Sequence, residues 1–171
     1  MPFSFFTKEP IAAVAEALTK RGFKFHQPDS KTIICSFGGA ESILMIVKDE
    51  EEKKSLLFLF IPMKGSLHPL AEIVSGRMSL FRIHTNAGYT SDQVAKTCEF
   101  LMQQNYEMFL GAFERDASDG EIRLRVALPY RDCSPTRDQA GWCIDTGLMC
   151  LVHGIVEINR LTGKPQSDLV I

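Results

Sequence analysis

The sequence predicts a mixed α+β chain, and three observations carry that expectation. A helical stripe lies near the amino terminus, a series of short extended runs follows it, and a strand–turn–strand pattern leads into a long final helix. In IAAVAEALTKRG, preceded by Glu9 and Pro10, the side chains of Ile11, Val14, Ala15 and Leu18 fall on one helical face. Proline suits a first turn, and Lys20, Arg21 and Gly22 supply the basic residues and the glycine that close a helix. The spacing predicts a helix of about three turns.

Extended runs come next. GFKFH places Phe23 and Phe25 on one side, TIICSF runs up to Gly38 and Gly39, and SILMIVK and SLLFLFIP flank the polar loop DEEEKK. Short strands joined by polar loops predict an antiparallel meander. The runs Ile43–Val47 and Leu56–Ile61 barely alternate, so they are expected at the sheet centre, covered on both faces or on one face plus a subunit contact. From Met63 to Tyr89 the pattern weakens: Pro69 opens a short helix with Leu70, Ile73 and Val74, and RMSLFRIH reads as another strand.

The second half is more regular. Thr90 with Gln93 makes a capping box ahead of a stripe of Val94, Cys98, Leu101 and Met102 that stops near Asn105. The stretch GAFERDASDGEIRLRVALPYRD is a hairpin, Met108–Arg115 and Glu121–Leu128 joined through DASDG. Pro135 and Thr136, with Gln139 three places on, start a long helix with the stripe Cys143, Ile144, Gly147, Leu151, Gly154, Ile155 and Ile158. No repeat or linker divides the chain, so a single domain over residues 1–171 is expected, with a loose tail over 160–171.

Composition excludes several classes of function. With 171 residues, 45% hydrophobic and 23% charged, the chain can bury a full core. Nineteen basic against 21 acidic side chains, a net charge of -2, give no bulk attraction to nucleic acid or to an anionic membrane. The longest near-continuous apolar run, Leu56–Ile61, is far short of the ~20 residues of a membrane helix, and MPFSFFTKEP lacks the pattern of a signal peptide. A cytoplasmic location is the expectation. Five irregularly spaced cysteines, Cys35, Cys98, Cys133, Cys143 and Cys150, read as reduced thiols.

Candidate chemistry is sparse. Cys150 and His153 share a helical face with Cys143 two turns earlier, but neither CxxC nor HxxxH spacing occurs, so core residues explain them better than a metal. Cys133 or Cys98 with His84 or His153 makes a conceivable nucleophile pair without any motif around it. Gly38 and Gly39 lack phosphate-loop spacing, and the acidic run Asp49–Glu52 passes at once into Lys53 and Lys54, which describes a solvated loop. No cofactor and no metal are expected.

Two features invite a partner. On EIRLRVAL the side chains of Ile122, Leu124, Val126 and Leu128 point one way and those of Glu121, Arg123 and Arg125 the other. Glu114 across the hairpin can pair with the arginines and leave a solvated face; alternatively the guanidinium forks hold an acidic partner. The final helix carries Gly141, Gly147 and Gly154, each costing on the order of 1 kcal/mol against alanine. Close packing within the monomer or a dimer seam would offset that cost, and Trp142 beside them can anchor either contact.

The succession of a helix ending near Asn105, then NYEMFLGAFERDASDGEIRLRVALPY, then a helix behind a proline resembles the YbjN family, labelled bacterial sensory transduction regulators. Asn105, Gly111, Phe113, Asp119, Gly120, Glu121, Ile122, Leu128 and Pro129 carry the match, and the opening helix with GFKFH follows it more loosely. Residues 62–90 do not map onto the pattern and read as an insertion. The resemblance implies a type III secretion chaperone-like fold, an antiparallel sheet flanked by helices and often dimeric. It also implies a non-catalytic protein that binds a protein partner or regulates by contact. The competing class is an enzyme or small-ligand binder with a site in a sheet–helix cleft, using His84 or a cysteine.

Overall fold

The computed structural model describes residues 9–37, 43–62, 90–117 and 121–163. Along them run α1 (Pro10–Lys20), β1 (Phe25–Asp29), β2 (Thr32–Phe37), β3 (Ile43–Glu50), a 3-10 turn (Glu51–Lys53), β4 (Ser55–Pro62), α2 (Ser91–Glu107), β5 (Ala112–Arg115), β6 (Ile122–Pro129) and α3 (Arg137–Thr162). The fold is the expected α+β: one antiparallel six-stranded sheet in the order β1-β2-β3-β4-β6-β5, with three helices.

Strands β2, β3 and β4 are rich in branched and aromatic residues, and short polar turns join β1 to β2 and β3 to β4. Between β3 and β4 the 3-10 turn closes through Lys54, which takes the left-handed conformation (φ 46). The hairpin then adds to β4 through its second strand, Leu128 opposite Leu56 and Leu124 opposite Phe60, which leaves β5 at the edge.

One row of partners, Phe25, Cys35, Met45, Phe60, Leu124 and Phe113, crosses all six strands on the same face. The helices pack on that face: Val14 and Leu18 of α1, Leu101 of α2 and Ile144 and Leu151 of α3 share a core with Met45, Phe58 and Phe60. The neighbouring row, Ile34, Ile46, Leu59, Arg125 and Ala112, belongs to the second face. There Ile34, Leu44, Ile46, Leu59 and Ile61 form a separate buried cluster, so the central strands are covered on both faces.

Both capping boxes are present, Thr90 with Gln93 and Thr136 with Gln139, and each hydroxyl accepts from the backbone N–H three residues on. Several sequence boundaries move. Met108–Gly111 is not strand, because Gly111 turns there (φ 89) and an added Cβ would sit 2.8 Å from the Arg125 carbonyl oxygen. Residues 160–162 are helix, not tail, since α3 continues to a left-handed Gly163 cap. Of the predicted α2 stripe, Leu101 is buried, but Met102 is 74% exposed. The expected elements between 63 and 89, His84, and the turn residues 118–120 lie outside the described residues.

By length and composition α3 could cross a membrane. Here it lies along the sheet, burying Cys143, Ile144, Gly147, Leu151, Gly154 and Ile158. Its glycines are seats for other side chains of the monomer: Phe60 rests over Gly147, Phe113 over Gly154 and the Arg21 guanidinium over Gly141. That packing supplies the offset for the glycines, and no dimer seam is required of them.

Candidate docking surfaces and clefts

Sheet pleating puts Arg123, Arg125 and Glu114 together on the second face, since each alternates with a residue that faces the helices. Arg123 Nε donates to Glu114 Oε2 at 2.7 Å, and Arg125 Nε donates to Glu114 Oε1. Burial pushes the Glu114 carboxyl up, but the two guanidinium bonds outweigh it and hold its pKa below the ordinary value. Glu121, one place before β6, shares this face by alternation and has a partner of its own. The arginine pair is thus engaged with a carboxylate inside the chain, and the face is mixed in charge rather than basic.

Trp142 lies elsewhere. It projects from the first turns of α3, on the helical side of the sheet, half exposed and with its ring centroid 6.4 Å from that of Phe109. Beside it Arg21 holds Asp145 with two bonds, Nε to Oδ1 at 2.8 Å and Nη2 to Oδ2 at 2.5 Å, and Asp145 raises the pKa of that guanidinium. The four residues singled out from sequence, Glu121, Arg123, Arg125 and Trp142, therefore occupy two opposite sides of the molecule.

The helical side carries more than Trp142. Among the described residues every large apolar side chain that stays exposed belongs to α2, its exit or α3: Met102, Tyr106 (93%), Phe109 (91%), Trp142 and Met149 (70%). The two helices run antiparallel: Gln93 Nε2 at the start of α2 donates to the Thr162 carbonyl at the end of α3 (2.9 Å), and Phe109 past the end of α2 lies against Trp142 near the start of α3. The sequence held a signal for this surface. Met102 and Tyr106 are four apart on α2, an apolar pair that does not coincide with Val94, Cys98 and Leu101, and Phe109 lies just past the helix end. A helix with two apolar stripes needs two sets of neighbours.

The clefts offer less. An open one of about 500 Å³ is lined by Lys31, Asp49, Lys54, Tyr130, Arg131 and Cys133, among others. Within it Lys31 pairs with Glu51 at 2.7 Å, and the Tyr130 hydroxyl donates to Asp49 Oδ1 at 2.5 Å. Burial and then Asp49 push the Tyr130 phenol up to about 12, which makes it a poor proton donor near neutrality. Burial also pushes the thiols of Cys35 and Cys143 up, to about 12 and about 11, so both are protonated and unreactive near neutral pH. Cys150 is raised by burial too, and His153 is exposed with its ring 6.5 Å from that of Phe100. No three potential metal ligands converge among the described residues.

No protein-family model matches the chain, and no curated protein matches it. Among solved structures, the crystal structure of YbjN from E. coli, described as a candidate transcription regulator, is similar with a TM-score of 0.55 at 10% identity. The match covers 88% of this chain and 91% of that one. At this identity the similarity speaks to the fold, and the antiparallel six-stranded sheet with its three helices is a YbjN-like α+β fold.

Proposed function

We propose that this chain is a non-catalytic protein-binding module of the regulatory or chaperone type, acting in the cytoplasm and docking its partner through the outer face of α2 and α3. One observation carries the reading: Met102, Tyr106, Phe109, Trp142 and Met149 stay in solvent on one helical layer while the rest of the large apolar side chains described are at least partly buried. Apolar surface gathered on one side marks interaction sites, and tryptophan and tyrosine dominate the energetics of such contacts. The E. coli neighbour's description as a candidate regulator is consistent with a protein that works by contact. Neither cofactor nor nucleic acid is needed, and a second copy of the chain is a natural occupant of the same face.

The test is capture of partners from the native cytoplasm by the purified protein, with its mass in solution recorded on the same sample. A Phe109→Ser, Trp142→Ala protein that keeps its circular dichroism should lose the captured protein or its dimer mass. An Arg123→Glu, Arg125→Glu protein should retain both. Undiminished capture by the aromatic variant refutes the assignment, and a co-purifying small molecule would transfer it to the Tyr130 cleft.

A further inference from the structure

The apolar face of α2 and α3 carries two carboxylates in its midst. On α2 Glu99, Gln103 and Glu107 recur every four residues and are all exposed, a polar row beside Met102 and Tyr106. Gln103 and Glu107 lie three and seven residues on from Phe100, whose ring is 6.5 Å from that of His153 on α3, so the row leads from the crest of α2 toward α3. On α3 Trp142 and Met149, seven apart, share the outward side. The polar row therefore runs between the exposed apolar side chains of the two helices. Among the described residues no lysine or arginine pairs with either carboxylate. Gln103 Nε2 donates to Glu107 at 3.2 Å, while Lys96 is held by Asp92 at 2.8 Å, Arg160 by Glu157 at 2.7 Å and Arg137 by Asp138 at 3.1 Å. Lys20 and Arg21 stand on the α1 side of Trp142, next to Asp138 and Asp145.

A partner that covers Tyr106, Trp142 and Met149 must also take Glu99 and Glu107 out of water, and a desolvated carboxylate without a counter-charge is costly. The cations of α2 and α3 are already engaged, so the counter-charge has to come from the partner. We propose that the partner presents a cationic amphipathic helix, with apolar side chains at helical spacing for the two apolar rows and lysine or arginine for Glu99 and Glu107. This rests on the docking reading above and narrows it to one chemistry. Helices that dock in this way lay an apolar face along the groove between two others. Trp142 to Met149 spans about 10 Å of α3, so two to three turns of the partner suffice. Met102 and Met149 are unbranched and adapt to differently shaped apolar neighbours. Of the other occupants, a second copy docked face to face would bring the same two carboxylates to a two-fold seam, like charge near like. An acidic or neutral segment would leave them unpaired.

Trp142 is the only tryptophan of the chain, so its emission reports contact at this face in the full-length protein. The probes are three synthetic peptides of about 18 residues, long enough for five turns. One is an amphipathic helix of leucine and lysine, the second has glutamate in place of lysine, and the third scrambles the first. At near-physiological salt the first should bind saturably with a blue shift of Trp142, and the other two at least about tenfold more weakly. A Glu99→Gln, Glu107→Gln protein with an unchanged unfolding midpoint should bind the lysine helix about tenfold more weakly and lose its preference over the glutamate helix. Equal affinity for those two helices, equal affinity for the scrambled peptide, or a preference that survives in the double variant would overturn the cationic partner and leave the docking face standing. Binding of none of the three would remove both readings. A dimer that the lysine helix fails to dissociate would give the face to a second copy instead.

Discussion

A methyl group added at Gly147 would sit 2.2 Å from Cε2 of the Phe60 ring, a fully buried side chain. Alanine prefers a helix by about 1 kcal/mol over glycine, but overpacking a core costs about 1–3 kcal/mol and wins here. Gly147→Ala should therefore destabilise the protein by about 2 kcal/mol in urea unfolding. Gly141→Ala should fall within about 1 kcal/mol of wild type, because the atoms it meets belong to the long, movable side chain of Arg21. Equal costs at the two positions would refute this account of the glycines. Glu114 makes a second residue-scale case. Because its folded pKa lies below the ordinary value, its contribution is present above the ordinary carboxyl range and disappears as pH falls through the folded pKa. The three side chains are 27%, 29% and 42% exposed, so Glu114→Gln should cost at most about 1 kcal/mol near pH 7. That deficit should shrink as the pH is lowered below the carboxylate range in thermal melts. A gap independent of pH would mean that the arginines gain nothing from the charge.

At the scale of elements the exposed edge of the sheet is the vulnerable place, since unpaired strand edges invite pairing with other chains. On β5 the side chain of Asn105 closes it: Nδ2 donates to the Phe113 carbonyl at 2.9 Å and Oδ1 accepts from the Phe113 N–H at 2.7 Å. This amide clasp also ties the end of α2 to the strand that follows it, while Gly111 makes the sharp entry between them. Asn105→Ala should cost about 1 kcal/mol and increase self-association at high concentration, read by sedimentation velocity. Unchanged sedimentation would show that the edge is already too short to pair. The start of α3 rests on a similar local device, so Thr136→Ala should lower stability by about 1 kcal/mol in chemical unfolding.

For the whole molecule, the decisive feature is the division of labour between two sides. The helical side exposes aromatic and methionine side chains, whereas the arginine pair on the other side is occupied by Glu114. Removing Phe109 and Trp142 should thus abolish partner capture while leaving the unfolding free energy within about 0.5 kcal/mol of wild type, because exposed side chains contribute little to folding. Loss of capture accompanied by a large loss of stability would make these residues structural instead. What the sequence by itself determined is whatever depends on near neighbours. The caps at Thr90 and Thr136, the strands β2 and β4, the stripe from Cys143 to Ile158 and the pairing of Glu114 with its arginines were all legible from spacing. Only the tertiary structure decided that the hairpin joins β4 through β6, that Met102 faces water while Leu101 faces the core, and that Trp142 and Arg125 lie on opposite sides. Spacing specifies which residues share a face of an element. Which of two apolar faces gets covered depends on long-range register and on the volume available beneath each helix, as the seats of Phe60 and Phe113 on Gly147 and Gly154 show.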